Sequence, residues 1–389
     1  MHLEWLGFFG SLCLAASLAG CCYLVAAALI VRRLFRARPP LASGANPASL
    51  LKPLCGDDSG LYENLRSFCL QDYANFQIVF GVADPADPAI AVVRRLMAEF
   101  PQADIALAVG GNSRAANLKV ANLINMQHLA RHGLLVISDS DMRVAPNYLA
   151  TVTAPLADPG VGLVTCLYRG IPVGGPAKGL WSDLAAMHIN HGFLPQAALG
   201  EALGAGGGAF GASMALRRAS LDAIGGFARI ADYLADDHAL GHAVRGLGQR
   251  VLLSPLLVDD MVYESGLGGV FRHELRWANT VRLLAPWGFA GSVVAHPLAL
   301  ALLGLLLGAP PLWAILGLIL AFLVRWASIR FNERSLGLSR APAWLIPLRD
   351  LLSFVVYTAS FFTRDVAWRG RRFRIDRAGR MISKGDNPV

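Results

Sequence analysis

Long apolar runs divide the chain into three regions, of which the first is Leu6–Val31. This run carries no charge, and as a helix at about 1.5 Å per residue it is long enough to cross a hydrocarbon core of about 30 Å. We therefore predict a transmembrane helix in an N-terminal anchor, residues 1–38. A signal peptide, or a lipoprotein box at Leu18–Cys21, is the less favoured alternative because the arginines follow the apolar run instead of preceding it. The Pro- and Ala-rich stretch Pro39–Pro47 predicts a linker.

In the middle region, from about Ala48 to Tyr263, short apolar runs alternate with amphipathic stretches. The runs predict strands at Ser49–Leu54, Phe76–Val82, Ile105–Val109, Leu134–Ser138, Gly162–Leu167, Ala212–Leu216 and Arg250–Leu253. Stretches such as Ala89–Phe100 and Lys119–Arg131 predict helices. Alternation of this kind predicts an α/β fold, with a mostly parallel sheet and helices on both of its faces. The domain extends to about residue 282.

The third region is apolar again. Residues 288–308 and 310–327 are separated by Gly308–Pro311, and we predict a helical hairpin through the membrane within residues 283–328. The next apolar block, Ala341–Phe362, contains Arg349 and Asp350, and a charge inside a span is costly. We predict that residues 341–389 form a re-entrant or interfacial segment and a basic cytoplasmic tail, with a full crossing as the alternative.

Composition supports a membrane protein. Hydrophobic residues make up 54% of the chain and charged residues 16%, against about 25% charged in ordinary soluble domains. The formal charge of +8 comes from arginines beside the apolar runs, at Arg32–Arg38, Arg325–Arg334 and Arg369–Arg374, so it indicates a membrane surface and not nucleic acid. By the positive-inside rule these arginines face the cytoplasm, as does the α/β domain. The six cysteines lack zinc or disulfide spacing.

An acidic turn follows the strand Leu134–Ser138 and carries Asp139 and Asp141. Ligands of open α/β sheets bind at the carboxyl ends of strands, and two close carboxylates suit a hard divalent cation such as Mg²⁺ or Mn²⁺. A solvated acidic turn is the competing interpretation. Asp84 ends an earlier strand, where it is suited to a nucleotide base or ribose, or else to capping the helix that begins at Ala89.

Two further polar clusters are candidates for binding and catalysis. Asn117, Lys119 and Asn122 offer amides and an ammonium suited to a diphosphate, or else mark an exposed helix start. Asp236–Asp237–His238 precedes a helical run, where the acids either cap the helix or supply a general base.

The segment His273–Trp277 lies where the α/β domain meets the apolar region. Arg276 with Trp277 either anchors the chain at the interface or places a guanidinium on a phosphate and an indole against a sugar.

The order of these clusters resembles the D, DxD, D, (Q/R)xxRW signature of membrane-bound family 2-like and family 21 glycosyltransferases. Within them, the ceramide glucosyltransferase-like branch is the most similar. The resemblance rests on Leu51–Lys52–Pro53–Leu54, Gln71–Asp72–Tyr73, Asp84–Ala89, the triplet Asn117, Lys119 and Asn122, and Gly225–Gly226–Phe227. Cys166–Gly170, His273–Trp277 and Trp368–Phe373 look like the bacterial hopanoid-biosynthesis glycosyltransferases. His273 departs from the motif, which has Gln or Arg at that place.

The resemblance implies a GT-A fold, a Rossmann-like mixed sheet with transmembrane helices at both ends. It implies an inverting UDP-sugar-dependent hexosyltransferase. Asp84 would bind uridine, Asp139 and Asp141 would hold Mg²⁺ or Mn²⁺ on the diphosphate, and Lys52, Asn117 and Lys119 would contact the donor. Asp237 would be the general base, Arg276 would steady the leaving diphosphate, and Trp277 would close the site.

The same resemblance favours UDP-N-acetylglucosamine as donor and a hopanoid such as bacteriohopanetetrol as acceptor, at the inner membrane of a bacterium. A ceramide glucosyltransferase using UDP-glucose is the alternative. A non-catalytic membrane sensor of nucleotide sugars is an alternative of another class, and Asp237 discriminates against it, because binding alone needs no base. His191 either lines the acceptor site or has a structural role.

Overall fold

A computed structural model describes residues 2–36, 46–57, 60–111, 115–173, 179–204, 208–363, 365–368, 371–376 and 379–383. The strands are β1 (Ala48–Leu54), β2 (Phe76–Val82), β3 (Ile105–Val109), β4 (Leu134–Ser138), β5 (Met142–Arg143), β6 (Val161–Pro172), β7 (Ser213–Arg217), β8 (Arg250–Val262), β9 (Asp365–Trp368), β10 (Arg371–Ile375) and β11 (Met381–Ser383). The helices are α1 (His2–Arg36), α2 (Leu61–Cys69), α3 (Ala89–Glu99), α4 (Leu118–Met126), α5 (Tyr148–Thr153), α6 (Gly179–His188), α7 (Leu194–Ala202), α8 (Arg218–Ala223), α9 (Asp236–Gly246), α10 (Leu267–Leu284), α11 (Pro286–Gly291), α12 (Pro297–Leu306), α13 (Pro311–Leu336) and α14 (Leu345–Ser360).

The chain forms two compact units. The helical unit comprises Met1–Arg36, Gly174–Ala205 and Glu264–Arg372, and the α/β unit comprises Ala37–Val173, Gly206–Tyr263 and Phe373–Val389. The helix α10, which carries Arg276 and Trp277, belongs to the helical unit. Most of the predicted linker Pro39–Pro47 lies outside the described residues.

The α/β unit is built on an eight-stranded sheet in the order β3-β2-β1-β4-β7-β6-β8-β5. Neighbours in the set β3, β2, β1 and β4 are parallel, as are β6 and β8. Strand β7 runs antiparallel to β4 and to β6, and β5 runs antiparallel to β8. The prediction of an α/β fold with a mixed sheet is confirmed.

Both faces of this sheet are buried, because successive side chains of a strand point to opposite faces. Leu50 packs into one apolar cluster and Leu51 into another. The first cluster includes residues of α2, α3 and α5, and the second includes residues of α4 and α9. Helices therefore cover both faces, as the alternating pattern predicts, and the carboxyl ends of β1, β2 and β4 meet at one edge.

The helical unit contains helices of membrane-spanning length. Within the described residues, Trp5–Arg36 and Pro311–Leu336 are each long and apolar enough to cross a bilayer, which confirms helices of this kind near the N-terminus and in the C-terminal region. Between them, Pro286–Ala295 and Pro297–Leu306 are bent by 72°, so this arm of the predicted hairpin is a broken span or a re-entrant loop.

Glycines allow the close packing of α1. A Cβ on Gly20 would lie 2.2 Å from the Val294 carbonyl oxygen, and one on Gly10 would lie 2.7 Å from the Ala309 nitrogen. Small residues at such crossings are typical of helix pairs in membranes.

Buried charges in the helical unit are paired. Arg349 on α14 and Glu274 on α10 form a bidentate pair with both nitrogen–oxygen distances at 2.7 Å, and their residues are only 2% and 3% exposed. Asp350 lies 2.9 Å from the Nε atom of Arg325 on α13. The charges that make a simple crossing of Ala341–Phe362 costly are therefore compensated within the unit, and whether this segment spans the membrane stays a prediction.

Candidate active site

The acidic turn follows β4 directly, as the sequence predicts. The Asp141 carbonyl oxygen accepts a hydrogen bond of 3.0 Å from the Met261 amide of β8, and the Asp139 amide donates to the Ala212 carbonyl oxygen at 3.4 Å. The turn is thus held between β8 and the segment before β7. The pKa of Asp141 is raised, because protein surrounds the carboxylate and the Asp139 carboxylate is close; the residue remains accessible to water, which screens part of this effect.

Lys52 supports the turn from beneath. It is fully buried on β1, and its ammonium donates to the backbone carbonyl of Asp139 and, at 3.4 Å, to the Ser138 hydroxyl. Its Nζ atom lies 3.8 Å from the centre of the Phe68 ring. Burial lowers the pKa of Lys52 to about 7, although the carboxylates of Asp141 and Asp139 oppose this shift. In this structure Lys52 therefore holds the backbone of the acidic turn, and any contribution of Lys52 to binding of the sugar donor would be indirect.

Asn117 caps α4. Its side-chain oxygen accepts from the amides of Lys119 at 3.0 Å and Val120 at 3.2 Å, which satisfies donors that a helix start leaves unpaired. Its Nδ2 atom donates to the Tyr233 carbonyl oxygen at 2.9 Å and to a carboxylate oxygen of Asp236 at 3.3 Å. Asn117 therefore fixes the start of α4 against the segment that leads into α9.

Lys119 connects the two acidic clusters. Its Nζ atom lies 2.6 Å from Oδ1 of Asp139 and 3.5 Å from Oδ2 of Asp236. Burial alone lowers the pKa of Lys119, but Asp139, Asp236 and Asp237 outweigh that effect and leave it above its ordinary value. The ammonium is therefore a fixed positive charge between the turn and α9.

Asn122 has a structural role. Its Nδ2 atom donates to the carbonyl oxygens of Gly81 at 2.6 Å and Leu54 at 3.4 Å, and so it ties the ends of β2 and β1 together. A Cβ on Gly81 would lie 2.6 Å from the Asn122 side-chain oxygen, so this contact needs glycine there.

Asp237 does not cap α9. One carboxylate oxygen accepts from the Gly211 amide and the other from the His238 amide, both at 2.7 Å. The pKa of Asp237 rises to about 6, because protein surrounds the half-buried carboxylate and the Asp236 carboxylate is close, while Lys119 opposes the shift. A carboxylate whose pKa approaches neutrality is suited to general base catalysis.

The glycine-rich stretch Gly204–Gly211 permits this contact where it is described, at residues 204 and 208–211. A Cβ on Gly211 would lie 3.1 Å from Oδ2 of Asp237 and 3.4 Å from Nζ of Lys119. A Cβ on Gly208 would lie 2.7 Å from the Cα atom of His238. The described part of the stretch therefore brings the Gly211 amide to the start of α9.

Two residues that the pattern of the sequence did not single out also face this region. Asp260 on β8 is only 8% exposed and pairs in register with Met142, next to the acidic turn. Burial, Asp141 and Asp139 raise the pKa of Asp260 well above its usual range. The pKa of Tyr168 on β6 is also raised, by burial and then by nearby carboxylates, Asp260 first. In the sequence, Asp260 could have been found as a candidate site residue because Asp259 and Asp260 are adjacent acids, like Asp236 and Asp237.

Asp84 is exposed beyond the end of β2. Its Oδ1 atom accepts from the Ala86 amide at 2.9 Å. The bond to the first amide of α3 comes instead from Asp87, which accepts from Ala89 at 2.9 Å and also from Gly56. Asp84 is therefore not the cap of α3.

Trp277 lies in an aromatic cluster of the helical unit. Its ring centre is 4.5 Å from that of His273, 6.1 Å from His188 and 6.3 Å from Phe193. Phe193 ends a π-helical turn, Ile189–Phe193, that also contains the buried His191. Arg276 is half-buried on the same helix, α10.

The structure thus brings together Lys52, Lys119, Asp139, Asp141 and Asp237, with Asp84 at the end of β2. Arg276 and Trp277 belong to the other unit.

The carboxylate oxygens at the acidic turn fit a hard divalent cation. Asp139 and Asp141 supply carboxylate oxygens, and Mg²⁺ commonly binds one or two carboxylates together with substrate phosphates and water. Among the described residues, no group of three or more His, Cys, Asp or Glu side chains is arranged to hold a metal. Two protein carboxylates therefore suit a cation whose other coordination positions are filled by water and by a diphosphate that arrives with it.

Comparison with known proteins agrees with this geometry. The family model described as Glycosyl transferase family 21 matches residues 12–381. Ceramide glucosyltransferase 1 of Caenorhabditis elegans is 28% identical over 207 residues, which cover 53% of this chain and 43% of that protein. Ceramide glucosyltransferase 3 of the same organism is 26% identical over 211 residues, which cover 53% of this chain and 44% of that protein. The match therefore spans less than half the length of these relatives.

Among solved structures, the mannosyltransferase PcManGT from Pyrobaculum calidifontis, in complex with GDP-Man and Mn2+, has a TM-score of 0.51 and 18% identity. The match covers 91% of this chain and 99% of that one. At this identity the likeness concerns the fold, and it confirms the predicted GT-A arrangement.

Proposed function

The chain belongs to glycosyltransferase family 21, and on that premise we propose that it transfers N-acetylglucosamine from UDP to a hydroxyl of a membrane lipid, a hopanoid of the bacteriohopanetetrol type. The supporting observation is the pairing of two acidic clusters through Lys119: Asp139 of the acidic turn on one side, and Asp236 with Asp237 on the other. A sugar transferase needs a place for a diphosphate beside a base, and this arrangement provides both.

Charge compensation at the diphosphate is the first requirement. A divalent cation held by Asp139 and Asp141, Mg²⁺ or Mn²⁺, supplies positive charge for the leaving UDP when it is bound. Lys119 adds a second fixed positive charge, which its partners Asp139 and Asp236 hold in place without rearrangement. Lys52 keeps the backbone of the turn in position, and Asp84 binds the uridine.

Removal of the acceptor proton is the second requirement. Each carboxylate oxygen of Asp237 accepts one backbone amide. Since a carboxylate has about four lone-pair sites, each oxygen can still accept the proton of the lipid hydroxyl. The raised pKa of Asp237, about 6, leaves the group ionised at neutral pH yet basic enough to take a proton.

Arg276 and Trp277 complete the proposed machinery. The guanidinium steadies the leaving diphosphate, and the indole closes the site against the sugar. The rings of His188, His273 and Phe193 hold the indole in place.

The hopanoid and N-acetylglucosamine assignments rest on the resemblance carried by Cys166–Gly170, His273–Trp277 and Trp368–Phe373. Arg369 and Gly370 of the last segment lie outside the described residues. The names of the curated relatives favour a second candidate, ceramide as acceptor with glucose as the donor sugar. In either case we propose that the α/β unit lies at the cytoplasmic face of a bacterial inner membrane, and the positive-inside rule applied to the arginines beside the apolar helices supports this.

A product assay separates these candidates. The purified chain is incubated with UDP-N-acetylglucosamine or UDP-glucose and either bacteriohopanetetrol or ceramide, with Mg²⁺ or Mn²⁺, and lipid products are identified by mass. Glucosylceramide as the sole product would replace the hopanoid assignment. Binding of UDP-sugars with no product from any lipid, including a total bacterial lipid extract, would favour the sensor.

A further inference from the structure

A cavity of about 290 Å³ lies at the carboxyl-terminal end of α13 in the helical unit, and none of its lining residues is assigned to sugar transfer. Its lining residues are Trp326, Ala327, Arg330, Phe331, Arg334 and Arg340. Three of these are arginines and two are aromatic, a combination that suits an anion at the surface of a membrane.

The length of α13 places this cavity at the level of lipid headgroups. The helix has 26 residues, or about 39 Å at about 1.5 Å per residue. A hydrocarbon core of about 30 Å accommodates about 20 of them, so a span that begins at Pro311 leaves the core near Arg330. The arginines of the cavity therefore lie where phosphate groups are found.

The charge of Arg330 is already compensated. It donates to a Glu333 carboxylate oxygen at 2.7 Å and to the Ala341 carbonyl oxygen at 2.6 Å. The other Glu333 oxygen accepts from the Ala341 amide at 2.7 Å, while Gly337 ends α13 with φ of +66°. These contacts fold the segment after α13 back onto the helix and fix the wall of the cavity before any ligand arrives.

Arg334 and Arg340 are the uncompensated charges. Both are exposed, and neither forms an ion pair in the part of the chain that the structure describes. A third cation is near, because the guanidinium of Arg32 on α1 lies 5.5 Å from the centre of the Phe331 ring. Among the described residues the cavity therefore carries an excess of positive charge, which suits an anionic ligand.

An exposed apolar stripe leads along α13 to the cavity. Leu316, Ile319, Leu320, Leu323 and Trp326 are each 42–52% exposed and recur every three or four residues, so they share one face of the helix. Trp326 is also part of the cavity. A molecule that fits both features has an anionic head and long apolar chains.

We infer that this cavity binds the phosphate of an anionic phospholipid, with Arg334 and Arg340 on the phosphate and the acyl chains along the stripe. Guanidinium groups bind phosphate oxygens in bidentate fashion, which favours arginine over a simple point charge. The phosphate of the bound lipid distinguishes it chemically from the proposed hopanoid acceptor.

The test uses the full chain in detergent, titrated with phosphatidylglycerol or phosphatidylcholine and followed by native mass spectrometry. We expect one phosphatidylglycerol to bind more tightly than phosphatidylcholine. The double variant Arg334→Gln, Arg340→Gln should weaken phosphatidylglycerol binding on the order of tenfold, from the attraction typical of two interfacial arginines. The variant Arg94→Gln, Arg229→Gln removes two exposed arginines of the α/β unit and should leave binding unchanged.

Three outcomes contradict the inference. Equal affinity for the two lipids removes the role of charge, and equal affinity of the double variant and the wild type removes the role of these arginines. Displacement of phosphatidylglycerol by millimolar inorganic phosphate identifies the ligand as a free anion and not a lipid. Circular dichroism and thermal unfolding in the same detergent show whether both double variants are folded.

Discussion

Replacing Asp237 with Asn tests whether the site catalyses transfer or only binds a nucleotide sugar. Both carboxylate oxygens of Asp237 accept backbone amides, from Gly211 and from His238. Asn retains one acceptor and must turn its NH₂ group toward the other amide. One of the two hydrogen bonds is therefore lost, at a cost of about 1–3 kcal/mol of stability, nearer the lower value because the residue is only half-buried.

The effect on turnover is larger. Loss of a positioned general base lowers the rate by about 10² to 10⁴ fold. At about 1.36 kcal/mol per tenfold change, this corresponds to about 2.7–5.4 kcal/mol of transition-state stabilisation. Donor binding should persist, since the contact between Lys119 and Asp139 does not involve Asp237.

Asp236→Asn is the matched control, one residue away with the same change of charge. The substitution weakens the 3.5 Å ion pair with Lys119 and retains an acceptor for Asn117. We therefore expect it to raise the Michaelis constant for the donor and to lower turnover by less than about tenfold.

The assay measures single-turnover transfer of labelled sugar to lipid, with donor affinity from calorimetry on the same preparations. Near wild-type turnover by Asp237→Asn would refute the role of this residue as base. If Asp236→Asn showed the larger loss of turnover, the base would be Asp236.

The metal, the general base, the buried ion pair and the topology can each be tested separately. Asp139→Ala should abolish divalent-dependent transfer and weaken UDP-sugar binding together, and undiminished transfer by this variant in a chelator would contradict the metal assignment. Because the pKa of Asp237 is raised to about 6 and only the ionised form is a base, turnover of the wild type should fall as the pH drops through about 6. The Asp236 carboxylate contributes to that raised pKa, so Asp236→Asn should move this acidic limb of the pH–rate profile to lower pH, and an unmoved limb would contradict the coupling. Glu274→Gln leaves the buried guanidinium opposite it without a carboxylate and should cost about 3–5 kcal/mol of stability, seen as a lower unfolding midpoint in detergent. A reporter fused after Val389 should register in the cytoplasm, whereas a periplasmic signal would show that Ala341–Phe362 crosses the membrane.

The central parallel strands were predictable because their local pattern is sufficient. Phe76–Val82, Ile105–Val109 and Leu134–Ser138 have the predicted bounds, since each is a short apolar run that ends where the chain becomes polar or turns. The two longest strands, β6 and β8, extend further than the local hydrophobic pattern predicts. The apolar runs at Gly162–Leu167 and Arg250–Leu253 mark only the first parts of β6 and β8. The two strands continue as partners beyond polar interruptions, Tyr168–Arg169 in β6 and Asp259–Asp260 in β8.

The candidate site residues also divide into those that the local pattern predicts and those that it does not. Asp139, Lys119 and Asp237 follow or precede clear elements, and the structure brings them together. Asp260 and Tyr168 lie on the later parts of β8 and β6, beyond a shift of register between Cys166 and Tyr168. Their positions depend on that irregular pairing and on the antiparallel direction of β7. The local sequence marks Asp260 only by its acidic neighbour Asp259, and Tyr168 only by its place in the segment Cys166–Gly170.

The ion pair between Arg325 and Asp350 has a consequence for how the protein is made. Arg325 lies within α13, which is synthesised before α14 brings the carboxylate. On insertion scales an unpaired arginine costs about 2.5–3.5 kcal/mol at the centre of a spanning helix, and less at Arg325, which lies close to where α13 leaves the hydrocarbon core. A nascent chain that ends before α14 therefore carries an uncompensated charge in the bilayer. We therefore expect the helical unit to reach its full stability only after α14 has been synthesised and Asp350 has paired with Arg325.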